Sequence, residues 1–205
     1  MYIKWMKRLL DILLSAAGLI VLAIPMGIIA ILVKRDSKGP VLFWQERVGK
    51  NKTVFRMPKF RTMRTDTPAE MPTHLLNDPD QWITKVGKTL RKLSLDELPQ
   101  IWSILVGHMS IIGPRPCLKN QTDLLAERDK YGANDVRPGL TGWAQINGRD
   151  ELPIEVKARF DGEYVAKMSF LFDLRCFFGT IGSVLKHEGV VEGGTGQMDK
   201  ENVKK

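Results

Sequence analysis

Cysteine is nearly absent from this sequence. Cys117 and Cys176 stand in no metal-ligand or redox spacing and are too few for a disulfide framework, so both are expected to be reduced and structural. Acid is short as well: 23 aspartates and glutamates face 31 lysines and arginines, a formal net charge of +8. With 43% hydrophobic residues the chain carries enough apolar content for a core, which argues against general disorder. The basic excess favours an anionic partner, whether nucleic acid, lipid headgroups or a phosphorylated metabolite. Internal repeats are lacking, and 205 residues suit one domain better than two.

The most informative absence is a local one. Between Asp11 and Lys34 stand 22 residues without a charge, roughly 33 Å as one straight helix and enough to cross a bilayer core of about 30 Å. Pro25 lies inside this run, followed by Met26 and Gly27, and an interior proline removes a backbone hydrogen bond and kinks or breaks a helix. Neither half would then span alone. Lys4, Lys7 and Arg8 precede the run and Lys34, Arg35 and Lys38 follow it, whereas a span collects its basic residues on the cytoplasmic side. A helix, a break at Pro25 and a second helix that re-enters the same leaflet satisfy both facts. A straight span is the alternative. A cleaved signal peptide fits less well, because the run is long and Lys34 and Arg35 follow it in place of a small-residue cleavage site.

Beyond this segment, Val41–Arg47 and Thr53–Met57 read as a hairpin around Gly49, Lys50 and Asn51. Thr65–Asp80, with Pro68, Pro72 and Pro79, reads as a loop, and Thr84–Leu105 as helix interrupted near Pro99. Gly113-Pro114-Arg115-Pro116 is a stiff loop, since each proline fixes its own φ and pushes its predecessor to extended conformations. Asn120–Tyr131 reads as a charged helix and Pro138–Gly148 as a second irregular segment. Ser169–Lys186 reads as a Phe-rich helix, and the tail from Gly189 as disordered.

Chemistry concentrates in Ser94-Leu95-Asp96-Glu97-Leu98-Pro99-Gln100. Ser94 and Glu97 have the spacing of a capping box, which would make the acidic pair purely structural. Pro99 argues for a helix start nearer Asp96, with the proline in the first turn. Asp96 and Glu97 would then sit at the positive helix end, which suits a phosphate and keeps a carboxylate ionised as a nucleophile or Mg²⁺ ligand.

Five motifs in order carry a family resemblance: Lys59-Phe60-Arg61-Thr62-Met63, Leu93 to Gln100, Met109 to Pro116, Arg137-Pro138-Gly139-Leu140-Thr141-Gly142, and Gln145-Ile146-Asn147-Gly148-Arg149. The sequence resembles the bacterial sugar transferase family, and more narrowly its small monotopic phosphoglycosyl transferases of the PglC type. The resemblance implies transfer of a sugar-1-phosphate from a UDP-sugar to undecaprenyl phosphate with release of UMP. It implies Asp96 as the nucleophile that forms a covalent phosphosugar and contacts Mg²⁺, Glu97 as its partner, and a re-entrant membrane helix broken near a proline. It places the protein on the cytoplasmic face of the bacterial inner membrane, upstream of glycosyltransferases that extend the product. The expected fold is α+β and mainly helical: a re-entrant helix over 1–36, a small globular cytosolic catalytic domain over 37–189 with a short hairpin and interfacial amphipathic helices, and a tail over 190–205.

Phosphoryl transfer between anions needs fixed cations. The candidates are Lys59, Arg61, Arg91, Arg115, Arg137 and Arg149. Lys59 and Arg61 share a face if they lie on a strand, and Arg115 is fixed between two prolines. Arg149 is by resemblance the stronger nucleotide-sugar contact. His108 stands where many members carry an acid and is expected to be structural or surface, while Pro58 should weaken pairing of its strand. Trp143 and the Phe170, Phe172, Phe177 and Phe178 group are open to either core packing or the membrane surface. The rival readings are a non-catalytic, membrane-anchored module that binds phosphate or anionic lipid, and a two-carboxylate hydrolase, which adjacent carboxylates suit poorly. Nucleic acid is not expected as a partner, because the basic residues are dispersed among Gly/Pro motifs. The identity of the sugar stays open.

Overall fold

The computed structural model describes residues 2–67, 81–148 and 152–186. Much of the expected Thr65–Asp80 loop, Arg149 and the tail from Gly189 lie outside the described residues.

The uncharged run forms two helices, α1 (Lys7–Val21) and α2 (Ala23–Asp36), bent by 60°. No single helix among the described residues is long and apolar enough to cross a membrane, but this bent pair together is. The break sits at Leu22 (φ −88°, ψ 0°), and Pro25 occupies the first turn of α2. A proline ring collides with the carbonyl four residues before it and offers it no N–H. For Pro25 that carbonyl belongs to Val21, the last residue of α1, so the proline moves the break upstream of itself. Leu22 bridges the bend, donating to Gly18 O and accepting from Met26 N, both at 2.8 Å.

The expected hairpin is present, its first strand shifted by one residue and its second longer: β1 (Leu42–Val48) pairs antiparallel with β2 (Val54–Phe60), from Leu42 opposite Phe60 to Val48 opposite Val54. Asn51 and Lys52 take positive φ in the turn. Pro58, expected to weaken the pairing, is accommodated within β2. The N–H of Arg61 donates to Val41 O, so by alternation the Pro58–Trp44 pair is a non-hydrogen-bonded one and the missing N–H falls on the open edge.

Thr84 caps α3 (Lys85–Lys92), its hydroxyl accepting from Gly87 N at 3.0 Å. Gly87 is pressed so close to β2's continuation that a Cβ there would lie 2.2 Å from Thr62 O. After α3 the chain does not run on as helix. Ser94 adopts the left-handed conformation (φ 55°), Leu95–Glu97 form one 3-10 turn, and α4 (Gln100–Val106) begins only after Pro99. Ser94 makes no side-chain cap, which removes the capping-box reading.

The two proline-glycine segments, read separately as loops, meet. β3 (Ser110–Ile112) runs parallel to β4 (Gly139–Thr141), with Ser110 opposite Gly139 and Ile112 opposite Thr141. At the crossing a Cβ on Gly139 would stand 2.1 Å from Gly113 N, and one on Gly142 2.1 Å from Gly113 O. Pro138–Gly148 is therefore a strand followed by the short helix α6 (Trp143–Ile146), not an irregular segment. Helices α5 (Thr122–Asp129), α7 (Ile154–Lys167) and α8 (Phe170–Lys186) complete a mainly helical α+β fold.

Helix α1 is part of the domain as well as of the bent pair. Asp11, 4% exposed, accepts from Ser110 Oγ and Ile111 N, and Gly18 faces Ile101 of α4. Lys7 pairs with Asp173 at 2.6 Å, and Arg8 donates to Ile104 O and Leu105 O at the end of α4. Two of the flanking cations thus serve tertiary contacts in addition to whatever they contribute at a membrane surface. Trp143 is packed inward against Phe160 and Phe172, its Nε1 donating to Glu163. Of the phenylalanines on α8, Phe172 joins this core, whereas Phe170, Phe177 and Phe178 are exposed.

Candidate functional site

The site grows from β2. Lys59 near its end donates to Glu97 Oε1 at 2.8 Å, and Arg115, held between Pro114 and Pro116, donates to the same oxygen at 2.8 Å and to Oε2 at 3.4 Å. Three chain segments thus converge on one carboxylate: the strand, the 3-10 turn and the glycine crossing that carries Arg115. Burial disfavours the charge of Glu97, but the fields and hydrogen bonds of Arg115 and Lys59 outweigh it and hold the carboxyl well below the usual carboxylate range.

Asp96 is adjacent in sequence and opposite in character. Burial raises its carboxyl above the ordinary aspartate value, opposed by Lys59, reinforced by the charge of Glu97, and opposed again by Arg91 and Arg115. Among the described residues no donor bonds to it. The pair therefore divides into one restrained, firmly ionised carboxylate and one carboxylate with free oxygens. The left-handed Ser94 and the tight turn produce this division, because they send consecutive side chains into different surroundings.

The other expected cations separate. Arg91, on the last turn of α3, donates Nε to Thr62 Oγ1 at 2.9 Å and contributes to the field at Asp96. Arg61 does not face the carboxylates. Its guanidinium, 5% exposed, donates to Pro40 O at 2.6 Å, Lys38 O at 2.7 Å and Ser37 O at 2.8 Å, with Val33 O at 3.5 Å, and so caps the exit of α2. Arg137 donates to Gly107 O at 2.9 Å beside Arg8, at the far end of α4. Arg149 lies outside the described residues. His108 is exposed and lies beside the Phe55 ring.

A divalent cation fits this set in one manner. The described residues contain no cluster of three His, Cys, Asp or Glu side chains placed to hold a metal, and Glu97 is already engaged. The free oxygens of Asp96 leave one carboxylate, which is how Mg²⁺ is commonly held when substrate phosphates and water complete its shell.

Carboxylates of split character lie in the fields of Lys59 and Arg115, and Asp96 also in that of Arg91, a charge arrangement suited to an anion such as a phosphate ester. The chain belongs to the bacterial sugar transferase family, whose model matches residues 2–187, and is a transferase. It is 39% identical over 192 residues to the exopolysaccharide production protein PSS of Rhizobium leguminosarum bv. phaseoli, covering 88% of this chain and 95% of that protein. It is 40% identical to the undecaprenyl-phosphate glucose phosphotransferase of Komagataeibacter xylinus, over 85% of this chain and 35% of that one. It is also 38% identical to the UDP-glucose:undecaprenyl-phosphate glucose-1-phosphate transferase of Escherichia coli K12, over 87% of this chain and 40% of that one. The chain thus spans nearly all of the Rhizobium relative and less than half of the two larger ones.

Sequence reasoning missed Asp11, which ties α1 to β3, Tyr164 and Asp173, which join α7 to α8, and the buried Arg128–Asp161 pair between α5 and α7. A lone Asp inside an apolar helix, as at position 11, was the available signal.

Proposed function

We propose that the chain is a phosphoglycosyl transferase that moves a sugar-1-phosphate from a UDP-sugar to undecaprenyl phosphate and releases UMP, a first membrane step of glycan assembly. The observation that carries this reading is the free carboxylate of Asp96 beside a Glu97 locked by Lys59 and Arg115. An Asp96 oxygen attacks the β-phosphorus of the UDP-sugar. The bond from that phosphorus to the bridging oxygen breaks and UMP leaves with the oxygen, so the sugar phosphate remains as an acyl phosphate on Asp96. A phosphate oxygen of the lipid then attacks the same phosphorus, the bond to Asp96 breaks, and a lipid diphosphate-sugar departs.

Lys59, Arg91 and Arg115 offset the charge that accumulates on the transferring phosphoryl group. Glu97, being ionised and doubly bonded, orients Lys59 and Arg115. Asp96 would hold Mg²⁺, which supplies further charge neutralisation on the diphosphate. In this reading the α1–α2 pair enters one leaflet and returns on the cytoplasmic side, supported by its 60° bend and by the exposed Phe170, Phe177 and Phe178 of α8, which suit a bilayer surface. Glycosyltransferases downstream would extend the product.

The test is UMP release by the full chain in detergent or nanodiscs across a panel of UDP-sugars. The expected result is no more than about one UMP per enzyme with a UDP-sugar and Mg²⁺ alone, and sustained release only once undecaprenyl phosphate is added. Binding of both substrates with no UMP from any sugar would favour a non-catalytic phosphate- or lipid-binding module.

A further inference from the structure

Phe43 stands directly across the ribbon from Lys59. Residues so paired project from one face of the ribbon, and the hydrogen-bonded type set by Arg61 N to Val41 O places their Cα atoms about 5.5 Å apart. Farther along that face Arg47 donates to Pro116 O, next to Arg115. The ion cluster of Lys59, Glu97 and Arg115 therefore lies over this face, with Arg115 toward the turn and Phe43 toward α2.

The ring of Phe43 is 45% exposed, and among the described residues it has no stacking partner and no place in a core cluster. The next hydrogen-bonded pair along the ribbon is Val41 and Arg61, and Arg61 grips the carbonyls at the exit of α2, so Phe43 and Lys59 stand at the end of the ribbon nearest the bent helix pair. Two phosphate substrates must meet at Asp96 from different phases. The soluble one has the glycine crossing and Arg115 on its side. The lipid one must run from Lys59 back toward α2, and the surface along that path is an unpartnered hydrocarbon ring.

We propose that Phe43 binds the first isoprene units of the polyprenyl phosphate acceptor, beside the cation that receives its phosphate. This rests on the transferase reading above. A ring without polar atoms matches an isoprenoid by apolar contact alone, and its loss should weaken acceptor binding without touching the first chemical step.

The test compares Phe43→Ala and Phe43→Leu with the unsubstituted chain in nanodiscs of fixed composition. Phe43→Ala should raise KM for undecaprenyl phosphate about five- to tenfold, on the scale of one lost apolar contact. KM for the UDP-sugar and the amount of phosphosugar-enzyme formed without lipid should stay unchanged. Phe43→Leu should recover most of the loss. An unchanged lipid KM, a rise in the UDP-sugar KM instead, or weaker membrane association with unaltered lipid KM would each overturn the assignment. If the unsubstituted chain forms no phosphosugar and releases no UMP, the transferase reading fails and takes this one with it.

Discussion

Asp96 and Glu97 feel the same Lys59 and Arg115, but among the described residues only Glu97 is hydrogen-bonded by them. Asp96→Asn should reduce UMP release by a factor on the order of 10³ or more and abolish labelling of the protein by a radiolabelled UDP-sugar, because an amide oxygen does not form the acyl phosphate. The pH dependence follows from the same contrast. Asp96 must be ionised to attack, and in the metal-free protein burial raises its carboxyl, a rise that a bound Mg²⁺ would oppose. Lys59 lowers the Asp96 carboxyl and Glu97 raises it. Lys59→Met should therefore move the acid limb of phosphosugar-enzyme formation to higher pH and Glu97→Gln to lower pH, measured at saturating Mg²⁺. Shifts in the same direction for both variants would contradict this electrostatic account.

Elements explain what residue types alone hide. The motif around Asp96 was legible because a proline after paired acids is unusual in a helix. The task of Arg61 was not legible, because it depends on where backbone carbonyls of Ser37, Lys38 and Pro40 end up, and residue identity says nothing of that. Gly113, Gly139 and Gly142 looked like loop punctuation, since their reason is a contact between segments some 25 residues apart. Helix α7 was passed over because its buried face is Ala158, Asp161, Gly162 and Tyr164, small and polar where an apolar stripe is sought. Gly87→Ala gives a check at this scale. The added methyl meets the Thr62 backbone, so α3 must shift, and thermal or denaturant unfolding should show a loss of about 1–3 kcal/mol. Because α3 carries Arg91, activity should fall further than the lost stability explains.

For the molecule as a whole, the direction taken by the bent pair is the property to measure. Cys117 and Cys176 are both buried, so a single introduced thiol has a clean background. With Lys38→Cys, an exposed position just past α2, a membrane-impermeant maleimide should label lysed but not intact spheroplasts if the pair returns to the side it entered. Pro25→Ala restores the missing N–H and removes the collision with Val21 O, so in that background the pair should straighten and labelling of intact spheroplasts should rise. Labelling of Lys38→Cys from outside with Pro25 in place would contradict the re-entrant arrangement.

Lys59 grips Glu97 and Arg61 grips the end of α2, two residues apart on one continuous extended stretch. That spacing acts as a short ruler of about 7 Å between chemistry and anchor. If the pair is re-entrant as proposed, the height of the reacting phosphorus above the leaflet is set by covalent geometry and cannot be tuned by flexing a linker.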